Sequence, residues 1–535
     1  MKTKPIKLWL TVLALGWLFD FLFWNKGFGI NFAVFWTIGL IAVFHLLLSD
    51  GLRPHRSSLV LIPLFGFFAA VTFLRAEPMT TFLAVTFTLL TLTILTVTYL
   101  GGRWMQYSLA DYFAKALSLA GSVLARPITF TSEARKVQEE LGKPPAKYNL
   151  MPLLRGMLIA LPVVAIFASL LASADVVFGQ RLDAFIELFR LEKLPEYLFR
   201  LIYILIVGYA LMGVLLHAAS ASKDEKLVGE EKPLIPPFLG FTESSIVLGS
   251  VVILFALFVI VQFQYFFGGN ANITIEGYSY AEYARRGFGE LVTVAFFALL
   301  MLLTLSGITK RETETQRKVF SGLGIALVAL LLVMLVSAYQ RLVLYEAAYG
   351  FTRLRTYTHV FLVWIGLLLV AAIVLEILRK ERAFAFAMLV ASFGFAISLP
   401  LLNVDAFIVK QNLQREIQGQ AIEDLDSRYF LDLSDDAIPP LVNALSPKGT
   451  LQTPTLPDSV HEKVGAALAC IRHTRGLNER EWTWQSFHFA RLNADKALAS
   501  VSDELDAYKI VDKDWSLKTI APSGAEYSCA RQFWD

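Results

Sequence analysis

The chain has 535 residues, of which 56% are hydrophobic and 17% are charged. A soluble chain carries roughly 25% charged residues, and its core does not need apolar blocks of about 20 residues. The composition therefore excludes a soluble multidomain enzyme and predicts an integral membrane protein. The formal net charge of +3 is too small to indicate a nucleic-acid partner.

The chain begins with a short basic segment, MKTKPIK, and an apolar run follows from Leu8 to Trp24. A secretory signal peptide has the same order of charge and hydropathy. Here the apolar run is too long for a signal peptide, and no cleavage site with small residues follows it. We therefore predict a first transmembrane helix that stays attached to the chain.

A helix needs about 20 apolar residues to cross the hydrocarbon core of a bilayer. A window of that length predicts about eleven spans, and the fold class is an all-α integral membrane protein. The predicted spans cover residues 8–24, 30–48, 58–74, 79–100, 153–172, 198–217, 244–267, 288–308, 319–345, 357–378 and 383–402.

Lys and Arg accumulate in cytoplasmic connections of membrane proteins. In this chain, every second connection between predicted spans is rich in Lys and Arg, and those around Lys26 and Arg75 are poor. The alternation predicts a cytoplasmic N-terminus. An odd number of spans then places the C-terminus outside the cytoplasm, although one missed span would reverse that placement.

The spans predict three regions. Residues 1–152 form an N-terminal membrane region of four spans, which includes a cytoplasmic loop at 101–152. Residues 153–402 form a membrane core of seven spans, with an interfacial helix at 180–198 on the outer leaflet. Residues 403–535 form a small, mainly helical extracytoplasmic domain, called the tail below. The loop starts amphipathic and ends polar, which predicts a short surface helix followed by a linker.

Both cysteines of the chain, Cys470 and Cys529, lie in the tail. Two cysteines confined to an exported domain indicate a disulfide in an oxidising compartment, and closing such a loop would contribute roughly 4 kcal/mol. Two unrelated buried thiols are the alternative, because a sequence does not determine pairing. His461, His473 and His488 do not have the spacing of a zinc site, so we predict no metal.

The sequence contains no P-loop, no dinucleotide fingerprint, no HExxH motif and no CxxC motif. We therefore predict no catalytic residue and no cofactor. Three charged or titratable residues within the spans, Asp20, His45 and Glu376, lie near span ends, where a side chain can reach the interface. Because coupled transporters place carboxylates near the midplane, this distribution counts against transport.

The fourth predicted span is rich in threonine, with Thr80, Thr88, Thr91 and Thr98 on one face. Such hydroxyls can line a polar path through the membrane. More often they donate to carbonyl oxygens of their own helix or bond a neighbouring helix. We expect the second role here.

Segment 274–292 is predicted to lie outside the cytoplasm, yet it carries Arg285 and Arg286 immediately before a span. Two glutamates flank Arg286 at four-residue spacing, so the three side chains share a helix face. One interpretation is a helix start stabilised by ion pairs. The other is an outer-face site for an anionic group such as a lipid phosphate. The candidate outer-face polar site comprises Asp175, Glu282, Arg285, Arg286 and Glu290.

Four segments carry a family resemblance: LLASADVVF at 170–178, YAEYARRGFGEL at 280–291, NVDAFIVKQNLQR at 403–415 and LDLSDDAIPPLVNAL at 431–445. They resemble signature stretches of an uncharacterised bacterial membrane-protein family, domain of unknown function 4173, which is related to domain of unknown function 4153. The chain departs from the family pattern at Val404, where the family has proline, and around 427–429. The resemblance covers roughly residues 153–445. It implies a polytopic bacterial membrane protein and supplies no catalytic residues.

The leading hypothesis is a non-enzymatic protein of the bacterial cytoplasmic membrane that acts in envelope sensing, regulation or assembly. Its expected partners are the lipid bilayer and an anionic lipid or an envelope protein. A transporter of a small or lipid-like substrate is the first alternative, which a continuous central cavity would favour. A membrane-embedded lipid-modifying enzyme is the second, which contact between Asp175 and the Arg285–Arg286 pair would favour.

Overall fold

The computed structural model of the chain describes residues 5–140, 160, 163–164, 166–175, 177–182, 194–223, 227–228, 236–266, 288–419, 425–445, 456–477, 483–513 and 516–530. Within these residues, ten helices are long and apolar enough to cross a membrane. The predicted fold class, a polytopic membrane protein built from helices, is confirmed.

The structure bounds the following helices of the membrane region, of which α3 and α4 together form the third span. They are α1 (Pro5–Phe23), α2 (Ile30–Ser49), α3 (Arg56–Leu59), α4 (Leu61–Leu74), α5 (Pro78–Val97), α6 (Leu109–Glu140), α7 (Leu194–Ser220), α8 (Phe241–Phe266), α9 (Phe288–Ile308), α10 (Glu314–Tyr349), α11 (Arg353–Ile377) and α12 (Ala383–Leu402). The described residues 166–174 and 177–182 are also helical. The predicted bounds of α9 and α12 agree with the structure. Parts of the fifth predicted span and of the interfacial helix at 180–198 lie outside the described residues.

The helix that follows α5 is longer than its sequence suggested. The short surface helix predicted for the 101–152 loop is wrong in length, because α6 has 32 residues and continues through much of the polar stretch. That stretch is rich in Glu, Ala, Arg, Lys and Gln, which all have high helix propensity. Its polarity was therefore weak evidence for a linker.

Contacts divide the chain into two compact units, and the first comprises residues 1–26, 37–53 and 116–222. In this unit α1 and α7 pack antiparallel. Near the end of α1, Asp20 accepts hydrogen bonds from Arg200 at 3.0 and 2.5 Å. A Cβ on Gly16 would lie 2.5 Å from the carbonyl oxygen of Ile204, so the two backbones touch. Asp20 is therefore paired within the unit.

The second unit comprises residues 27–36, 54–115 and 223–535. Its membrane helices have a tail end, formed by the α4–α5 turn (75–77), the α10–α11 turn (350–352) and the end of α12. The opposite, basic end contains the α5–α6 connection, the α9–α10 turn and the α11–α12 turn. Three contacts define the basic end: Arg379 with Glu314 at 3.0 Å, Arg382 with Asp111 at 3.8 Å, and the Leu239 amide with the Ile308 carbonyl at 3.1 Å.

Five threonines of the fourth span donate to carbonyl oxygens of their own helix, as predicted, whereas the Thr80 hydroxyl donates to Oε2 of Glu77 at 2.6 Å. The hydroxyls of Thr86, Thr88, Thr96 and Thr98 donate to carbonyl oxygens four residues earlier, at 2.6 to 2.8 Å. The Thr91 hydroxyl bonds the Phe87 carbonyl in the same way. These hydroxyls are thereby satisfied without a polar path.

The tail follows α12 without a linker, because Asn403 alone separates Leu402 from the next helix. Its elements are α13 (Val404–Ile417), α14 (Tyr429–Asp432), α15 (Ile438–Leu445), α16 (Asp458–Leu477), α17 (Phe489–Ala499), α18 (Ser502–Leu505), β1 (Lys509–Lys513), β2 (Ser516–Ile520) and β3 (Glu526–Ser528). The strands form one antiparallel sheet in the order β1-β2-β3. This small sheet is the part of the tail that helical spacing did not predict.

The core of the tail continues into the membrane helices. Ile408, Leu441 and Val464 are fully buried in one cluster that also contains Leu399 of α12, and Val360 of α11 packs against it. Cys470 in α16 and Cys529 after β3 are joined in a disulfide with a Cα–Cα distance of 5.4 Å. The bond ties the end of the sheet to the helical core.

Candidate functional site

A buried ion pair joins the tail to the membrane helices. Arg353, the first residue of α11, donates from Nε and Nη2 to the two carboxylate oxygens of Asp405 in α13, at 2.8 and 2.6 Å. Asp405 has an exposed fraction of 0%. A bidentate pair between a guanidinium and a carboxylate is strong and directional, so it fixes the start of α11 relative to α13.

Glu77 provides a second carboxylate to the same region. Its side chain caps α5 by accepting from the amides of Met79 and Thr80, at 2.9 and 2.7 Å. It also accepts a hydrogen bond from the Tyr357 hydroxyl, and its Oε1 lies 4.0 Å from Nε of Arg353. A carboxylate at a helix N-terminus is stabilised by the helix dipole, which helps Glu77 to remain buried.

Two tail groups complete this arrangement. The Tyr429 hydroxyl accepts from the backbone amide of Arg353 at 2.8 Å, and the Ser434 amide donates to Oδ2 of Asp405 at 2.7 Å. Burial raises the pKa of Tyr429 to about 12, so its hydroxyl keeps its proton at neutral pH. We call Glu77, Arg353, Tyr357, Asp405 and Tyr429 the Arg353 cluster.

Asp436 makes a separate contact with the α4–α5 turn. Its Oδ2 accepts from the Ala76 amide at 2.7 Å, and its Oδ1 lies 3.5 Å from Nη1 of Arg75. Arg75 also donates from Nε to the Pro400 carbonyl at 3.0 Å. Burial raises the pKa of Asp436 to about 6, so this contact has a carboxylate that titrates in mildly acidic solution.

The α10–α11 turn is held by a third tail contact. Asn412 accepts from the Phe351 amide at 2.7 Å and donates to the Phe351 carbonyl at 2.9 Å. Gly350 has a φ of +76°, and a Cβ there would lie 2.8 Å from Oδ1 of Asn412. The turn therefore needs glycine for its conformation and for the closeness of the tail.

Glu346 and His359 form a further buried pair near the tail end. His359 Nδ1 lies 3.0 Å from a carboxylate oxygen of Glu346, in the last turn of α10. Glu346 extends the prediction that acidic groups within the spans lie near span ends. Because its partner is on the adjacent helix, the pair links α10 to α11.

The contacts described above hold the tail and orient the ends of the membrane helices; they do not form a metal centre. Within the part of the chain that the structure describes, no group of three or more His, Cys, Asp or Glu residues could hold a metal ion. The carboxylates of Glu77 and Asp405 are engaged by backbone amides, hydroxyls and Arg353. The arrangement can hold the tail against three helix ends, and a displacement of the tail would disturb all of them.

The outer-face polar site predicted from the sequence is mostly beyond the described residues. Asp175 is exposed, and its carboxylate accepts from the Phe178 amide at 2.9 Å, which is a local helix cap. Glu282, Arg285 and Arg286 lie outside the described residues, and Glu290 is described only as a backbone position in α9. Contact between Asp175 and the arginine pair, which would favour a lipid-modifying enzyme, therefore remains untested.

Sequence reasoning missed the Arg353 cluster, although two of the resemblance segments contained its signal. Segment 403–415 supplies Asp405 and Asn412, and segment 431–445 supplies Ser434 and Asp436. The two segments meet at Asp405, where the Ser434 amide donates to its carboxylate. The presence of such polar residues in both segments was the available indication that the two segments share a site.

A comparison with protein families gives a match over most of the membrane region. The family model described as Domain of unknown function (DUF4153) matches residues 63–444, which is more than half of the chain. The match includes every residue of the Arg353 cluster and ends before α16. No curated protein and no solved structure matches the chain significantly.

Proposed function

We propose that this chain, which belongs to the family described as Domain of unknown function (DUF4153), is a non-enzymatic protein of the bacterial cytoplasmic membrane whose tail senses the envelope and regulates the membrane helices. The Arg353–Asp405 pair carries the proposal. Asp405 belongs to the tail and is fully buried, and Arg353, which starts α11, donates both hydrogen bonds to it. A movement of the tail must therefore move α11 or leave a buried charge unpaired.

The charge distribution supports a cytoplasmic basic end and an extracytoplasmic tail. The α4–α5 and α10–α11 turns at the tail end contain one cation, Arg75. The turns at the basic end contain Arg103, Lys310, Arg311, Arg379, Lys380 and Arg382. Lys and Arg mark the cytoplasmic side, and an oxidising compartment outside it maintains the disulfide of the tail.

The connectivity of the second unit supports an eleventh span. The chain leaves α5 at the basic end and enters α8 at the same end, so it crosses the membrane an even number of times between Val97 and Phe241. The apolar helix α7 supplies one of these crossings. We infer that the predicted span at 153–172 is the second crossing, which would bring the total to eleven.

A transporter is supported less well. A cavity of about 90 Å³ lies among α9, α10 and α11, with Leu299, Phe320 and Glu376 in its lining. Pockets for small-molecule ligands have volumes of roughly 300–1,000 Å³. This cavity is too small for such a substrate, and its polar lining residues, Ser306, Glu376 and Glu381, lie near the basic end.

Hydrogen–deuterium exchange of the full chain in lipid nanodiscs tests the proposal. If the tail regulates the membrane helices, the Asp405→Asn variant should exchange deuterium faster in α13 and also at the distant end of α11, around Leu378. Asp503→Asn, which changes an exposed acid of the tail, is the matched control. Faster exchange confined to the tail would overturn regulation and leave the Arg353 cluster as an anchor.

A further inference from the structure

Helix α6 carries an exposed apolar stripe. The side chains of Leu109, Phe113, Leu117 and Leu124 are 42%, 68%, 57% and 70% exposed. They are spaced four, four and seven residues apart, so they lie on one face of the helix. We call these four residues the α6 stripe. Large apolar side chains that are grouped on one exposed face mark a surface that another apolar medium covers.

The second half of α6 packs against α7 with a different face. The Tyr209 hydroxyl of α7 donates to the Leu124 carbonyl, and Nδ1 of His217 lies 2.8 Å from the Ser122 hydroxyl oxygen. A Cβ on Gly213 would overlap the backbone of Val123, so the two helices touch. At 3.6 residues per turn, Ser122 lies about 160° around the helix from Leu124. The contact with α7 therefore leaves the Leu124 side chain exposed.

These contacts place Leu124 within the length of a span. Helix α7 is one of the ten described helices that are long and apolar enough to cross a membrane. Tyr209 precedes the end of α7 at Ser220 by eleven residues, which is about 16 Å along the helix axis. Near Tyr209, Leu205 and Ile206 of the same helix are 48% and 63% exposed. Exposed apolar side chains at that level of a span face acyl chains, and the Leu124 side chain lies beside them.

Polar side chains of α6 lie on a third face. Ser118 and Thr129 are exposed, and their spacing of eleven residues, about three turns, places them on the same side of the helix. Arg126 donates from Nε to the Ser122 hydroxyl at 2.9 Å and from Nη1 to Ser220, the last residue of α7. A cation of α6 is thus held at the end of the span, where lipid headgroups lie.

The charges beyond α7 favour the cytoplasmic leaflet for α6. Lys223 and Lys226 follow the end of α7 at Ser220, and such residues mark the cytoplasmic side. Helix α6 itself is not among the ten described helices that could cross the membrane. A helix that is apolar on one face and polar on another lies in the plane of the interface instead of spanning the bilayer.

We propose that α6 is an in-plane helix of the cytoplasmic leaflet, whose stripe contacts acyl chains while Ser118 and Thr129 face headgroups and water. The stripe continues the exposed apolar surface of α7, and this continuity identifies the partner as the lipid bilayer and not as a second copy of the chain. Embedding four large apolar side chains holds the helix to the leaflet by the hydrophobic effect. The proposal does not depend on regulation by the tail.

Nitroxide accessibility in the full-length protein, reconstituted in lipid nanodiscs, tests this placement. Single cysteines are introduced as Leu117→Cys and Leu124→Cys in the stripe, and as Ser118→Cys and Thr129→Cys on the polar face. Both native cysteines are joined in the disulfide and stay unlabelled without reductant, which wild type treated in the same way verifies.

The two faces should differ in the reagent that reaches them. Spin labels at Leu117 and Leu124 are expected to collide severalfold more often with oxygen, which concentrates among acyl chains, than with a water-soluble nickel chelate. Labels at Ser118 and Thr129 are expected to show the opposite preference. Because Ser118 directly follows Leu117, this pair compares two faces at nearly the same position along the helix.

Three results overturn the proposal. Nickel accessibility at Leu117 and Leu124 equal to that at Ser118 would place the stripe in water. Shielding of the stripe from both reagents would show that a protein surface covers it, and disulfide crosslinking between copies of Leu117→Cys would identify a second copy of the chain. A preference for oxygen at all four positions would place the whole helix among acyl chains and exclude the in-plane arrangement. If one stripe variant fails to fold, the other provides the comparison with the polar face.

Discussion

Arg353 and Asp405 lie on opposite sides of the junction between membrane and tail, and each is the other's bidentate partner at 2.8 and 2.6 Å. Asp405 also accepts the Ser434 amide, so the pair is connected to a second tail segment. Arg353 approaches Glu77 on its other side at 4.0 Å. A single guanidinium thus connects three parts of the chain that are far apart in sequence.

Removing one member of this pair should destabilise the protein strongly. Arg353→Met leaves the fully buried Asp405 carboxylate without its partner, which costs about 3–5 kcal/mol. Asp405→Leu should cost less, because the Arg353 side chain is 23% exposed and lies near Glu77. The double variant should recover part of that loss, because neither charge remains. Thermal unfolding of the purified variants in detergent provides the double-mutant cycle. Additive losses in the double variant would show that the two charges are not coupled.

The burial of Asp436 beside the α4–α5 turn should make the folded protein less stable as the pH rises. Burial raises the pKa of Asp436 from 3.8 to about 6 in the folded protein, despite Arg75 beside it. The folded state therefore binds a proton that the unfolded state releases between these values, so stability falls as the pH rises through about 6. A shift of this size corresponds to about 3 kcal/mol for a buried group.

Asp436→Asn should remove that part of the pH dependence. Melting temperatures of wild type and variant, measured from pH 4 to pH 7.5, give the difference directly. The melting temperature of the variant, relative to that of wild type, is expected to rise as the pH increases and to level off near neutral pH. A gap independent of pH would contradict the raised pKa.

Reporter fusions should locate both ends of the membrane helices. Alkaline phosphatase is active only outside the cytoplasm. We expect it to be inactive after Lys318, at the basic end, and active after Gly419, in the tail. For the eleventh span, fusions after Lys147 should be inactive and fusions after Gln180 should be active. Equal activity at these last two positions would rule out a crossing between them.

The Cys470–Cys529 bond should stabilise the tail without being needed for its fold. Cys470→Ser and Cys529→Ser should each cost roughly 2–4 kcal/mol, and the double variant should cost little more than either. Labelling of intact cells with a membrane-impermeant thiol reagent, before and after reduction, measures the state of the bond. Two thiols that react without reductant would show that the pair is open.

The sequence predicted the spans well and the site poorly, for different physical reasons. A span is a local property, because some 20 consecutive residues must be apolar, and α12 accordingly has its predicted bounds of 383–402. The Arg353 cluster is a non-local property. Glu77 looks like an ordinary helix cap before Pro78, and Arg353 looks like a cation near a span end. Only the packing of α13 against α11 brings Asp405 to Arg353.

The tail sheet escaped prediction for a related reason. Its strands have three to five residues, and periodic hydropathy is weak evidence over so few positions. Its attachment is partly covalent, through Cys529, and partly through Thr519, whose hydroxyl lies 3.0 Å from the Cys470 sulfur. Such contacts are visible only once the chain has folded back onto α16.

The single residue between α12 and α13 has a consequence for biogenesis. Asn403 adopts a left-handed φ of +54° and directs α13 back onto the membrane helices, with no slack for the tail to fold elsewhere first. Synthesis delivers Glu77 and Arg353 to the membrane before Asp405 is made. During that interval the guanidinium has no carboxylate from the tail. A chain cut before residue 405 would leave Arg353 with Glu77, at 4.0 Å, as its carboxylate neighbour within the cluster.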